Sequence, residues 1–300
     1  RLIGPAPYFP SLLKHYTWYP VHAATIAAHG SLTDRANRWT QPGKMVSNGP
    51  FVLKSWKFDH VIEVVKSHTY WDRERVGLEA IRYFPISSDT TEERAFRDGQ
   101  LHVTQTLPID RIAHYRDEQP EVYRTGPQLA TYFYRINLKA LPELADVRVR
   151  QAFSLAIARQ AIVEHVTKGG QTAAFGMVPP SGNDAPYRTP EMLRFDPEAA
   201  RARLADAGFP GGQGFPKLTV LFNTSEGHRL IAQAIQEMWK QQLGVEVELL
   251  NQDWKVYLDR TSKGDYQVCR AAWIGDYMDP STFLNMWMTG DGNNQTGWSS

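Results

Sequence analysis

Three short segments carry most of the side chains that could recognise a ligand: Asn223 to His228, Asn251 to Trp254, and Trp273-Ile274-Gly275-Asp276-Tyr277. Each follows a stretch that reads as a strand, and Arg270 lies one step inside the third. Among their groups are two indoles, the Asp276 carboxylate, an imidazole and the Arg270 guanidinium. Aromatic walls with charges of both signs suit a zwitterion bearing apolar side chains, a description that a peptide fits. Each residue also has a plainer reading. Trp254 opens an amphipathic helix and could anchor a core, His228 could cap or face solvent, Arg270 could balance a nearby carboxylate, and Asp276 could begin a turn.

Catalytic motifs are missing. The chain has no G-x-S-x-G elbow, no H-E-x-x-H helix and no G-x-x-x-x-G-K-[ST] phosphate loop. Gly211-Gly212-Gln213-Gly214 precedes a strand where a phosphate cradle would follow one, and reads as a flexible link. The nine histidines are dispersed, and the single cysteine, Cys269, excludes both an internal disulfide and paired-thiolate zinc sites. No catalytic residue, metal or cofactor is expected. A net charge of +1 over 300 residues suggests neither nucleic acid nor an anionic membrane as partner. No apolar run approaches the roughly 18 residues that suggest a membrane span.

The elements that must position these residues are legible in the pattern. Phe51-Val52-Leu53, Val61 to Val65 and Ala80 to Phe84 have strand composition, and a short helix from Thr91 to Arg97 ends at Gly99. Tyr132, Phe133, Tyr134 and Ile136 form a buried strand. Residues 146–167 read as one helix with Val149, Phe153, Ala156 and Ile157 on a face. Residues 170–195 are loop-like, and Asp196-Pro197-Glu198 starts a helix that Gly208 ends. Then come a strand at Lys217 to Phe222, a helix at 226–243 stopped by Gly244, a strand at Val245 to Leu250, a helix at 253–263 before Gly264, and a strand at Tyr266 to Trp273. This is a parallel βαβαβ unit, whose ligands collect beyond the carboxyl ends of the strands. The length suggests about two domains.

Several strings, in order, resemble bacterial oligopeptide-binding proteins, the family 5 extracellular solute-binding proteins. They are Trp39-Thr40-Gln41-Pro42-Gly43 with Val46-Ser47-Asn48-Gly49-Pro50-Phe51, Tyr70-Trp71-Asp72, Tyr83-Phe84-Pro85-Ile86-Ser87-Ser88 and Asp146-Val147-Arg148-Val149-Arg150. Asn223-Thr224-Ser225, Asn251-Gln252-Asp253-Trp254-Lys255 and Arg270-Ala271-Ala272-Trp273…Asp276-Tyr277 continue the series. The resemblance implies an α/β, type II periplasmic-binding-protein fold: two lobes of mixed sheet flanked by helices, here expected to be incomplete at both ends. Residues 1–129 would belong to the first lobe and 130–300 to the second. The implied function is a monomeric, non-enzymatic receptor in the periplasm or at the extracytoplasmic surface. It would capture extended oligopeptides and deliver them to the permease of an ABC importer.

By the same resemblance, Asp276 matches the carboxylate that receives the peptide ammonium. Ala272 and Ile274 match strand positions that pair with peptide main chain, Trp254 and Trp273 match side-chain pocket walls, and Arg270 and His228 match positives that meet the peptide carboxylate. The chain departs from the pattern in places. Ala130 and Ile274 stand where some members carry a cysteine pair, Thr167 (with Lys168 beside it) replaces a basic residue, and Gln105 and Thr106 replace asparagines. A hydrolase or peptidase fragment acting on peptides, or a chaperone-like holder of unfolded chains, are the competing readings.

Overall fold

The computed structural model describes residues 4–180, 187–190 and 193–299. Part of the loop-like stretch at 170–195 therefore lies outside the described residues. Contacts group the chain into one unit of Leu12–Ser87 and another of residues 4–11 with 88–299.

In the smaller unit, β1 (Phe51–Lys57), β2 (Val61–Lys66) and β3 (Ala80–Tyr83) form an antiparallel meander in the order β1-β2-β3. Val52 opposes Val65 and Ile62 opposes Tyr83, with a register shift between Leu53 and Ser55. Glu63 bridges Lys54 and Arg82 across the three strands, at 3.4 Å each.

In the larger unit, α1 (Asp89–Arg97) is capped by the Ser88 hydroxyl, which accepts the Thr91 N–H at 3.3 Å. Its sheet has the order β4-β7-β5-β6. The strands are β4 (Ala130–Ile136), β5 (Leu218–Asn223), β6 (Val247–Gln252) and β7 (Val268–Ile274). The β5–β6 and β5–β7 pairs are parallel and the β4–β7 pair is antiparallel, so the expected βαβαβ unit carries one antiparallel edge. Ala130 and Ile274 are direct register partners on this edge.

Helices α2 (Val147–Leu155), α3 (Pro197–Asp206) and α4 (Glu226–Leu243) accompany the sheet, and α5 (Trp254–Lys263) packs on it separately. The main core joins Val149 and Phe153 of α2, Leu204 of α3, Ile235 and Trp239 of α4, and Leu218 and Val220 of β5. The Trp239 indole N–H donates to the Phe153 carbonyl at 2.9 Å, so this large ring is buried without an orphan donor. Leu221, Tyr257, Tyr266 and Cys269 form a second cluster beneath α5.

The helix expected over 146–167 is broken. It stops at Leu155, resumes for one turn at Arg159–Ala161 and passes into a π-helical turn at Ile162–Thr167. The cause is Arg159, whose guanidinium donates to the carbonyls of Ser154 (3.0 Å) and Leu193 (3.3 Å) and to the Ser154 hydroxyl (2.7 Å). The Asp196 amide takes the Leu155 carbonyl at 2.9 Å. These donors satisfy the orphan carbonyls of a helix end, so the chain is free to turn. The predicted face survives, since Val149, Phe153 and Ala156 are all buried.

The last two strands start two residues later than their composition suggests. The Val245 amide closes the end of α4 on the Trp239 carbonyl, and the Asn137 side chain donates to the Gly264 and Tyr266 carbonyls at 2.9 and 3.0 Å. Those groups are engaged before strand pairing can begin.

The glycines at 211–214 pack a close turn, in contrast to the flexible link expected. Gly212 has φ +78°, and a Cβ there would lie 2.6 Å from the carbonyl oxygens of Leu243 and Gly244. Gly211 has φ +60° with open space around it. Gly212→Ala should therefore cost about 2–4 kcal/mol in urea unfolding, against about 1 kcal/mol for Gly211→Ala.

Candidate functional site

β7 outruns its parallel neighbour. Its register with β5 is Val220↔Val268 and Leu221↔Cys269, while β4 accompanies it to Ile274. The Gly275 amide donates to the Leu129 carbonyl at 2.8 Å, and the Arg270 carbonyl accepts the Tyr257 hydroxyl at 2.5 Å. Main-chain direction alternates along a strand. The amides and carbonyls of Ala272 and Ile274 accordingly face away from β4, where β5 no longer pairs with them. Both residues are exposed.

Arg270 sits at the point where the strands part and is only 9% exposed. Its Nε donates to Asn223 Oδ1, the side chain of the last β5 residue, at 2.7 Å, and a second guanidinium nitrogen donates to the same oxygen. Three rings surround the charge, with centroids 5.4 Å (Tyr257), 5.9 Å (Trp254) and 5.9 Å (Tyr132) from the guanidinium carbon. No carboxylate pairs with it among the described residues. A buried cation held by an amide oxygen and aromatic faces still lacks the opposite charge that an ion pair would give it.

His228 lies in the first turn of α4, its Nδ1 3.3 Å from the Tyr132 hydroxyl and its ring 5.6 Å from that ring. Burial, reinforced by the Arg270 charge, lowers its pKa from 6.5 to about 4. The positive charge expected at His228 is therefore not what this environment favours: at neutral pH the ring is an uncharged hydrogen-bonding group beside the Arg270 charge. Burial also pushes the Tyr132 and Tyr257 hydroxyls up to about 12, so both remain protonated donors.

A pH dependence follows. Because His228 has the lower pKa in the folded state, the unfolded chain binds the extra proton between pH 6.5 and about 4. Stability is complete above 6.5 and declines as pH falls to about 4, by about 2 kcal/mol once partial solvent screening is allowed for. His228→Gln should remove that part of the slope when unfolding is followed by urea titration at pH 7, 5.5 and 4.

Trp254 opens α5 behind the Asp253 cap, whose Oδ1 accepts the Lys255 and Val256 amides at 3.0 and 3.1 Å. Its indole is 55% exposed and stacks on Tyr257 with centroids 5.5 Å apart, which makes it a wall open to solvent and no core anchor.

Trp273 and Asp276 form a second group farther along β7. The Trp273 indole N–H (3.4 Å) and the Asp276 amide (3.1 Å) both donate to the Thr282 hydroxyl. Tyr277 stacks on Tyr8, with centroids 4.7 Å apart and an interplanar angle of 14°. The seven expected residues thus follow one strand end: His228, Trp254 and Arg270 at its inner part, Trp273 and Asp276 at its outer part, and Ala272 and Ile274 between them.

Sequence reasoning missed Tyr132, Tyr257 and Thr282 as members of the site. Tyr132 belongs because β4 places it opposite Ala272, which no local pattern announces. Tyr257 follows Trp254 by three positions, and that helical spacing was available as a signal.

The model of the family described as bacterial extracellular solute-binding proteins, family 5 middle, matches residues 1–295. The chain belongs to this family. Among its curated relatives, the periplasmic oligopeptide-binding protein OppA of Escherichia coli K12 is 35% identical over all of this chain and 54% of its own length. The periplasmic murein peptide-binding protein MppA of the same organism is 34% identical over 95% of this chain and 52% of its own. Solved structures of a Borrelia burgdorferi periplasmic oligopeptide-binding protein (34% identity, TM-score 0.89) and of the E. coli murein tripeptide binding protein MppA (33%, 0.90) each cover the whole chain and 58% of theirs. The type II periplasmic-binding-protein fold class expected from the sequence is the class of these family 5 structures. The chain spans about half the length of the curated relatives it matches.

Proposed function

We propose that a protein carrying this chain is a solute-binding receptor that captures oligopeptides in extended form between two lobes. It hands them to the permease of an ABC importer, working as a monomer at the periplasmic or extracytoplasmic face and performing no chemistry on its ligand. Residues 1–129 contribute to the first lobe and 130–300 to the second. The observation that carries the reading is Arg270, a buried guanidinium that lacks a carboxylate partner among the described residues. A peptide carboxylate supplies the missing charge in a charge-assisted hydrogen bond, about twice as strong as a neutral one.

The other site residues complete the ligand. Asp276 receives the terminal ammonium, and the outward main-chain groups of Ala272 and Ile274 extend the sheet by one peptide strand, a mode that tolerates many side chains. Trp254 and Trp273 wall the side-chain pockets, while neutral His228 adds a hydrogen bond. The names of the relatives, oligopeptide-binding and murein peptide-binding, agree with this ligand class. The family is described as one of solute-binding proteins, which fits a receptor and not a peptidase.

The test is to incubate the protein with a defined pool of tri- to pentapeptides and examine the complex by native mass spectrometry. Bound peptides should be recovered at their input masses, with a raised melting temperature. Cleaved products, or no retained peptide, would overturn the proposal.

A further inference from the structure

β7 ends at Ile274, so Asp276 stands on a turn that strand pairing alone does not fix. Gly275 makes the last bond to the Leu129 carbonyl, and a Cβ on it would lie 2.7 Å from the Leu129 side chain. The chain after it folds back through Ser281–Leu284, where Thr282 is 5% and Phe283 1% exposed. Thr282 is therefore held by a buried turn, and its hydroxyl oxygen faces two donors, the Asp276 amide and the Trp273 indole. The return is braced a second time. Asp279 Oδ1 accepts the Ser281 amide at 2.9 Å and the Ser281 hydroxyl at 2.6 Å, and the Tyr277 hydroxyl lies 3.2 Å from Ser281 Oγ. The Tyr277 ring is covered in turn by Tyr8, which reaches it from residues 4–11, far away in the sequence.

We infer that Thr282, braced through Tyr277 by Tyr8, is a positioning residue that locks the Asp276 turn and the Trp273 indole into one rigid unit and thereby sets selectivity for peptides with a free amine. The inference rests on the reading of Asp276 as the amine anchor. A carboxylate discriminates between an ammonium and its acetylated counterpart only when its main chain is held close to the productive geometry. Thr282 supplies that restraint without touching ligand. Because the same oxygen orients Trp273, amine recognition and the adjoining side-chain pocket move together.

The experiment compares dissociation constants for one tripeptide and its N-acetyl form in wild type, Asp276→Asn, Thr282→Val, Thr282→Ser and Tyr8→Leu, with urea unfolding of each variant. Wild type should prefer the free amine and Asp276→Asn should not. Thr282→Val keeps the shape but loses the acceptor, and should lower the preference about tenfold, equivalent to about 1.4 kcal/mol. Its Trp273 emission should shift in the ligand-free state. Thr282→Ser should stay within about twofold of wild type, which a purely packing role would not restore. Tyr8→Leu should lower the preference about threefold, and decides the matter alone if Thr282→Val does not fold. A folded Thr282→Val or Tyr8→Leu protein with the wild-type preference overturns the positioning role and leaves Asp276 as anchor. A wild type without any preference overturns both.

Discussion

Asp276→Asn should weaken binding of a free-amine peptide by about two to four orders of magnitude and leave binding of its N-acetylated form nearly unchanged. The expectation comes from charge pairing in a closed site. A peptide ammonium that has left water is compensated by the carboxylate. An amide of the same shape leaves it stranded, at a cost of about 3–5 kcal/mol. The folded state should tolerate the change, since Asp276 is exposed and its hydrogen bond to Thr282 is donated by the main-chain N–H. Calorimetric titration of both peptides into both proteins checks this. Equal losses for the two peptides would remove Asp276 from the amine site.

Arg270→Met should separate binding from stability in the other direction. The guanidinium is buried, bonded to the neutral Asn223 side chain and ringed by Tyr132, Trp254 and Tyr257. Its cation–π and hydrogen-bond contacts roughly offset the cost of keeping a charge out of water. An apolar side chain of similar length removes gain and cost together, so the unfolding free energy should stay within about 1 kcal/mol of wild type. Affinity for a peptide with a free carboxylate should fall about a hundredfold, because the charge-assisted bond is lost in a desolvated place. A carboxy-terminal amide should lose far less. Marked destabilisation with intact peptide affinity would make Arg270 a structural residue.

Local signals were the legible part of the fold. Asp196, Asp253, Gly208, Gly244 and Gly264 each mark a helix end by a cap whose chemistry involves only near neighbours, and α4 spans the residues its apolar spacing indicates. What escaped was decided by residues distant in sequence. The helix at 146–167 breaks because Arg159 reaches Leu193, and β7 starts late because Asn137 holds the carbonyls before it. The Gly212 turn resembles a linker in composition, and its close contact with Gly244 exists only once α4 has folded.

The site divides the same way. Trp254 and Asp276 sit in segments that announce themselves by following strands, and Arg270 and Trp273 lie on the strand that leads to Asp276. Tyr132 reads as an ordinary core residue until β4 is paired with β7. The protonation of His228 was equally out of reach, because its low pKa arises from burial and from Arg270, which lies forty-two positions later in the chain. Thr282 and Tyr8 carry no sequence signal of their own, and matter through the one hydroxyl and the one ring stack that the tertiary fold creates.

The most direct measurement is a crystal structure of the protein in complex with a short unblocked peptide. It should show the ligand extended along the outer edge of β7, its main chain paired with Ala272 and Ile274, its ammonium on Asp276 and its carboxylate compensated by Arg270. A peptide bound elsewhere, or lying on β7 with its ammonium remote from Asp276 and Arg270 still bonded only to Asn223, would contradict the account.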